Sequence, residues 1–155
     1  DAARYFYTMR KNDQHLDFDL DLAKSQSKDN PVYYIQYAHA RVCSMFRRAT
    51  EHGMDGPAVS GVPLSVLTMP QERDLMLALA RYPEVVESAA TDAAPHLVAH
   101  YLRETATALH QWYDAHKALV DDTQLRHARM ALADASRVVI ANGLKLLGVS
   151  APDRM

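Results

Sequence analysis

Hydrophobic side chains recur every three or four positions along most of the chain after residue 30. The clearest stripe lies within residues 31–51 and consists of Ile35, Ala38, Val42, Met45 and Phe46. This spacing predicts an amphipathic helix with one buried face. Asn30 can cap that helix and Pro31 suits its first turn, so we expect the helix to begin there. Gly53 is expected to end it.

The same spacing predicts four further helices downstream, three of them with a proline at the start. Pro70 begins one, Pro83 interrupts it and begins a short second one, and Pro95 begins a longer third one. The last helix is predicted from about Thr123 to Leu147, with Gly148 just past its end. Five helices after residue 30 predict an all-α bundle.

Two segments lack the helical period. Residues 52–69 contain three Gly and two Pro and are predicted to form an irregular connection. Leu16–Leu22 alternates strictly between apolar and acidic side chains, which predicts a half-exposed extended linker. Asp1–Phe6 already has the character of a folded element. We therefore expect an all-α bundle of about five helices, preceded by a helix and a short extended linker.

The composition fits one globular domain. The chain has 155 residues, of which 48% are apolar and 23% charged, and this excludes a second complete domain and the collagen-like, low-complexity and disordered classes. No apolar run approaches the length of a membrane span. The single cysteine cannot form an internal disulfide, so a reducing, cytoplasmic setting is expected. The chain does not begin with Met, and we expect it to be a piece of something longer.

The net charge conceals an uneven distribution. The total of −2 argues against a protein that holds nucleic acid by bulk positive charge. However, residues 31–51 carry three Arg against one Glu, for +2, and residues 124–147 carry three Arg and one Lys against one Asp, for +3. If these two helices are neighbours, the domain presents one positive surface.

Two patterns resemble metal sites, but neither is complete. Asp17, Asp19 and Asp21 match the first ligands of a calcium loop, but its sixth position lacks the glycine and its twelfth lacks the carboxylate. His96 and His100 have the spacing of a zinc-binding pair, yet no third ligand accompanies them. We therefore predict no metal site.

Catalytic signatures are missing from the sequence as well. It contains no glycine-rich phosphate loop, nucleophile elbow or pair of catalytic acids. Cys43 lies beside the apolar stripe and is predicted to be a small core residue. The chain alone is not expected to be a catalyst.

A line of aromatic and basic residues follows one side of the helix predicted for residues 31–51. Tyr34, Tyr37 and Arg41 are spaced at i, i+3 and i+7, and Arg48 lies one heptad further along. Such a line can stack unpaired bases while its arginines meet phosphates. Spacing alone favours the alternative, in which the tyrosines pack half-buried and the arginines solvate the helix.

Several blocks of the sequence resemble those of one enzyme family, in that family's order. The segment NPVYYIQYAHAR at Asn30–Arg41 resembles the signature that opens the anticodon-binding domain of arginyl-tRNA synthetases. Asp1–Phe6 resembles the Asp-Ala-Leu-Arg block after which the domain superfamily is named, and Leu16–Leu22 resembles the segment that follows it. Asn142–Val149 and Asp153–Met155 resemble the C-terminus of the family's proteins.

The resemblance implies the C-terminal portion of a class I synthetase. Such a ligase activates arginine with ATP and Mg in an upstream Rossmann-type domain, whose signatures are absent here, and transfers it to tRNA(Arg). Residues 1–30 would be the exit from the catalytic domain and the linker, and residues 31–155 the helical anticodon-binding domain. The implied partners are the anticodon stem-loop of tRNA(Arg) and the catalytic domain. The fragment has no cofactor of its own, and the family is usually monomeric.

The resemblance also assigns anticodon contacts to Tyr34, Tyr37, Arg41, Tyr113 and Met155. Weaker candidates, for the RNA backbone, are Arg48, Arg126 and Arg129. Arginine anticodons share a central cytosine, so a pocket selecting that base has an evident purpose. The Met155 thioether is expected to pack on a base, with the adjoining chain carboxylate accepting from a cytosine amino group.

One alternative from a different class stays open at this point. A helical bundle can also dock a protein partner through apolar faces, with its positive helices incidental. Binding of RNA weakens steeply with salt, whereas an apolar protein contact is largely indifferent to salt.

Overall fold

Seven α-helices make up most of the chain in the computed structural model, which describes residues 1–11, 15, 17–54 and 62–155. They are α1 (Ala2–Thr8), α2 (Leu20–Lys24), α3 (Pro31–Glu51), α4 (Pro70–Ala80), α5 (Tyr82–Thr91), α6 (His96–Ala115) and α7 (Thr123–Leu146). The described residues contain no strand. The all-α bundle and the five helices after residue 30 are therefore confirmed. None of the helices in this part of the chain combines the length and apolarity needed to cross a membrane.

The linker before the bundle differs from the prediction. Leu20–Lys24 is helical, because the Asp19 carboxylate caps the turn by accepting from the backbone N–H of Leu22 at 2.9 Å. Phe18 packs against Phe6 of α1, with ring centroids 5.7 Å apart. Residues 17–19 are non-helical, with extended backbone at Asp19, so the extended prediction fails only from Leu20 onward. Leu16 and residues 55–61 of the predicted irregular connection lie outside the described residues.

Asn30 joins the end of α2 to the start of α3. Its Oδ1 accepts from the backbone N–H of Val32 at 3.2 Å, and its Nδ2 donates to the carbonyls of Ala23 and Ser25. The residue is only 3% exposed. The side chain therefore satisfies donors at the new helix and acceptors at the old one, which fixes where α3 begins.

Helix α6 lies at the centre of the bundle. It packs against α3, α4, α5 and α7. Its buried side includes Leu102, Leu109 and the fully buried Trp112. The approach of α7 is close, since a Cβ at Gly143 would lie 2.6 Å from Cδ2 of Leu102. Any larger side chain at this position would require the buried Leu102 side chain to move.

One ion pair is buried between α4 and α7. Nε of Arg129 donates to Oε1 of Glu72 at 2.8 Å, and Glu72 is fully buried. Two further polar atoms of the pair are also used, because Nη1 of Arg129 donates to the Lys117 carbonyl and Oε2 of Glu72 accepts from the Met69 N–H. The pair therefore links α4, α7 and the loop after α6, with its polar groups compensated.

Replacing Glu72 with Ala should lower the free energy of unfolding by about 3–5 kcal/mol, since it leaves the Arg129 charge buried without a partner. Urea denaturation measures this. The matched control is Glu104→Ala, which removes an exposed ion pair with Arg81 and should cost less than about 1 kcal/mol. Equal losses for the two variants would contradict this role of Glu72.

Candidate nucleic-acid interface

A cavity of about 660 Å³ opens between α3, the end of α6 and the last residues of the chain. It is lined by Tyr37, Ala40, Arg41, Ser44, Arg47, Arg48, Tyr113, Arg154 and Met155. Its volume lies in the range found for small-molecule binding sites. Four of the five residues predicted to contact the anticodon therefore meet at one place. Among the described residues, the lining holds four arginines and no acidic side chain, so it is positive in a chain of net charge −2.

Arg41 forms the back wall of this cavity. Its guanidinium carbon lies 4.1 Å from the centroid of the Tyr113 ring, a cation–π contact. Its Nη2 pairs with the Asp114 carboxylate, and its Nη1 lies 3.2 Å from Nδ1 of His110. Contacts on three sides hold the guanidinium in place, so its face and the Tyr113 ring form one platform.

His110 is neutral and sets the arrangement around Arg41. A guanidinium can only donate, so Nδ1 of His110 accepts from Arg41 and Nε2–H donates to the Tyr34 carbonyl at 3.3 Å. Burial lowers the pKa of His110. The hydrogen bond to the Tyr34 carbonyl raises this pKa, and the charge of Arg41 lowers it further. The uncharged imidazole can therefore pack against the rings of Tyr34 and Tyr37.

The two tyrosines of the predicted line have different surroundings. Tyr34 packs against the core and against His110, at a ring distance of 4.6 Å. Tyr37 is 41% exposed and lies parallel to the Tyr33 ring, and it borders both this cavity and a second one of about 510 Å³. Tyr34 is therefore a packing residue, whereas part of the Tyr37 ring is open to solvent. Tyr34 lines only the second cavity of the two.

Two arginines at the end of α3 hold residues at the border of the cavity in place. Nη2 of Arg48 donates to the hydroxyl of Tyr113, and Nη1 of Arg47 donates to the Asp153 carbonyl at 3.0 Å. Arg154 lines the cavity without an ion pair or side-chain hydrogen bond among the described residues. Its guanidinium is thus the one most available to an added anion. Sequence reasoning missed Arg154, because only the path of the terminal segment brings it to the cavity.

The C-terminal segment, residues 148–155, lies along one face of α3. Four α3 side chains at spacings of three and four hold it, namely Gln36, His39, Cys43 and Arg47. Gly148 begins the segment with φ of +65°, the left-handed region that favours glycine. This face positions Met155, which is 50% exposed. The periodic polar residues beside the apolar stripe were the signal for it in the sequence.

The N-terminal end of the chain also contacts this segment. Nη1 of Arg4 donates to the Gly148 carbonyl at 2.7 Å. The Asp1 carboxylate accepts from Gln36 and from the Ser150 hydroxyl, while Gln36 donates to the Ser150 carbonyl as well. The two ends of the chain are therefore held side by side next to α3.

Cys43 is not the core residue that the sequence predicted. It is partly exposed, and its Sγ donates to the Asp153 carboxylate at 3.4 Å. Burial and this carboxylate together raise the pKa of the Cys43 thiol to about 11. The thiol is therefore protonated near neutral pH and works as a hydrogen-bond donor.

Arg126 and Arg129 lie away from the cavity lining. Arg126 donates to the carbonyls of Val120 and Asp121 at the start of α7, and Arg129 is buried on Glu72. Both guanidinium groups already have structural partners. Helices α3 and α7 are neighbours, as the charge argument required, but the positive lining comes from α3 and the terminal segment.

The comparisons with known proteins agree on one family. Residues 35–155 match the DALR anticodon binding domain. Proteins named arginine–tRNA ligase from Thioalkalivibrio sulfidiphilus and Coxiella burnetii are 58% and 56% identical over the whole chain, which spans only 27% and 26% of their lengths. The arginyl-tRNA synthetase of Thermus thermophilus, 32% identical, matches 99% of this chain with a TM-score of 0.84, and the chain covers 26% of it. With most of its sequence matched and nearly all of its fold shared, the chain belongs to the DALR anticodon binding domain family, as its sequence blocks indicated.

Proposed function

We propose that this chain binds the anticodon stem-loop of tRNA(Arg) as one part of an arginine–tRNA ligase. The observation that carries the proposal is the cavity in which Tyr37, Arg41, Tyr113 and Met155 meet among four arginines. Membership of an anticodon-binding family favours RNA over a protein partner as the ligand of this surface.

The cavity suits one unstacked base. Tyr37 offers an exposed ring, the joined Arg41 and Tyr113 offer a flat platform, and Met155 supplies a polarisable thioether at the rim. Because Arg41 is already fixed by Asp114 and His110, little side-chain ordering is left for the moment of binding. In this proposal the platform and thioether read the central cytosine of the anticodon.

The backbone of the loop is assigned to the outer arginines. Arg154 and the exposed Arg48 border the cavity from the terminal segment and α3, where a phosphate adjoining the inserted base would lie. No RNA contact is assigned to Arg126 or Arg129, since both guanidinium groups are occupied within the fold.

The chemistry of the ligase is assigned to a part of the protein outside this chain. That part would activate arginine with ATP and Mg and transfer it to tRNA(Arg) in the cytoplasm, the whole enzyme acting as a monomer. Residues 1–30 would connect it to the bundle. In support, the hydroxyl of Tyr5 on α1 donates to the Ala99 carbonyl at 3.0 Å, so the connection is docked on the bundle and able to orient it.

Replacing the central anticodon cytosine of tRNA(Arg) should weaken binding to the ligase that contains this chain by about tenfold or more, which is about 1.4 kcal/mol. The measurement is a titration of the two transcripts, with charging rates as a second readout. Binding of the intact transcript should also weaken steeply with salt. Equal affinity and equal charging of both transcripts would refute the anticodon assignment.

Tyr113→Ala should reduce discrimination at the central base, since it removes the ring on which Arg41 rests. We expect about tenfold weaker binding of the intact transcript and little change for the replaced one, because stacking on one base contributes about 1–3 kcal/mol. Met155→Ala should act in the same direction. Tyr7→Ala, at an exposed ring of α1, is the matched control. If Tyr113→Ala leaves discrimination intact, that tyrosine has only a packing role.

Arg154→Ala should weaken both transcripts about equally and reduce the slope of log affinity against log salt by about 1, as expected for one phosphate contact. Arg103→Ala, at an exposed position of α6, is the control and should leave the slope unchanged. Weaker binding of the intact transcript alone would move Arg154 from the backbone contacts to the base contacts.

A further inference from the structure

Three side chains with metal-binding atoms meet where the C-terminal segment crosses α3. They are His39, Cys43 and Asp153, and one donor atom from each lies within 4.8 Å of the other two. Among the described residues, no other group of three or more metal-binding side chains has this geometry. No local sequence pattern predicts this group, because Asp153 is far from His39 and Cys43 along the chain.

The spacing of the donor atoms suits one tetrahedral ion. Sγ of Cys43 lies 3.7 Å from Nδ1 of His39 and 3.4 Å from Oδ1 of Asp153. Zinc bonds of about 2.3 Å to sulfur and about 2.0–2.1 Å to nitrogen or oxygen place neighbouring ligands about 3.5 Å apart in a tetrahedron. The observed distances are close to that value, so small side-chain adjustments would bring all three atoms onto one ion.

The helix and the segment each prepare part of this group. His39 and Cys43 are four residues apart and so project from the same face of α3. Arg47 donates to the backbone carbonyl of Asp153, which leaves the Asp153 carboxylate to face the thiol. Without an ion, Nδ1–H of His39 donates to the Pro152 carbonyl oxygen at 3.0 Å. Coordination through Nδ1 breaks this hydrogen bond and leaves the carbonyl oxygen beside the ion as a fourth ligand atom.

We propose that His39, Cys43 and Asp153 bind one divalent transition-metal ion of the zinc type. Thiolate and imidazole donors favour such an ion over calcium or magnesium. On binding, the Cys43 thiol releases its proton to water, and His39 coordinates through Nδ1 with its own proton on Nε2. The thiolate and the carboxylate together offset the two positive charges of the ion.

The ion would fasten the terminal segment to α3. Asp153 is followed directly by Arg154 and Met155, which line the cavity. A metal bond at Asp153 would therefore limit the motion of both residues where the segment is otherwise held by hydrogen bonds. The metal site itself does not depend on what the cavity binds.

The test is a titration of the 155-residue chain with Co²⁺ alone, followed by Zn²⁺. Cys43 is the sole cysteine, so any thiolate-to-cobalt charge-transfer band reports on this residue. We expect the band and intense tetrahedral visible absorption to saturate at one Co²⁺ per chain, and Zn²⁺ to abolish both. Absence of the band, or a weak octahedral spectrum alone, would overturn the proposal. No RNA is present, so the outcome is separate from that of the anticodon assignment.

Three variants localise the ion. Cys43→Ser should abolish the band, and Asp153→Asn should weaken the Co²⁺ affinity by about tenfold or more, comparable to losses at metal-site positions. His100→Gln is the matched control, because it removes a histidine outside the group. Asp153 is exposed, so its substitution tests the site even if Cys43→Ser proves unfolded by circular dichroism. An unchanged titration curve for Asp153→Asn would overturn the proposed ligand set.

Discussion

The helical period of α3 determines how the rest of the structure is arranged. One row of side chains, such as Ile35, enters the core, a second row with Tyr37 and Arg41 faces the cavity, and a third with His39 and Cys43 holds the terminal segment. Each residue turns the helix by about 100°, so the three rows stay separate only while α3 is regular along its whole length. A single inserted or deleted residue would rotate one row into the position of another.

The cavity concentrates positive charge without making the protein basic. Its four arginines come from α3 and the terminal segment, and the three on α3 are already engaged with neighbouring groups. Asp114 offsets part of the charge of Arg41, and the neutral His110 accepts from it without adding repulsion. These partners weaken the electrostatic attraction of the cavity for phosphate, but they fix the position of the side chains that form it. Such a surface is better suited to selecting one base than to binding any RNA tightly.

The helices could be predicted because their limits are set locally, by caps, prolines and spacing. Helix α2 could not, since the Asp19 cap matters only once the turn docks on α1. Spacing placed Tyr37 and Arg41 on one face, whereas Tyr113 and Met155 were reached only through the family resemblance. The burial of Arg129 could not be predicted, because counting charges along a helix does not reveal that an acidic partner, Glu72, lies on another helix.

The contact between the two ends of the chain has a consequence for local stability. Arg4 and Asp1 bond to the segment that begins at Gly148, and Gln36 bonds to both ends. Neither end keeps all of its hydrogen bonds if the other detaches, so α1 and the terminal segment form one cooperative unit of partial unfolding. Loosening of residues 1–8 is therefore coupled to loosening of the rim of the cavity.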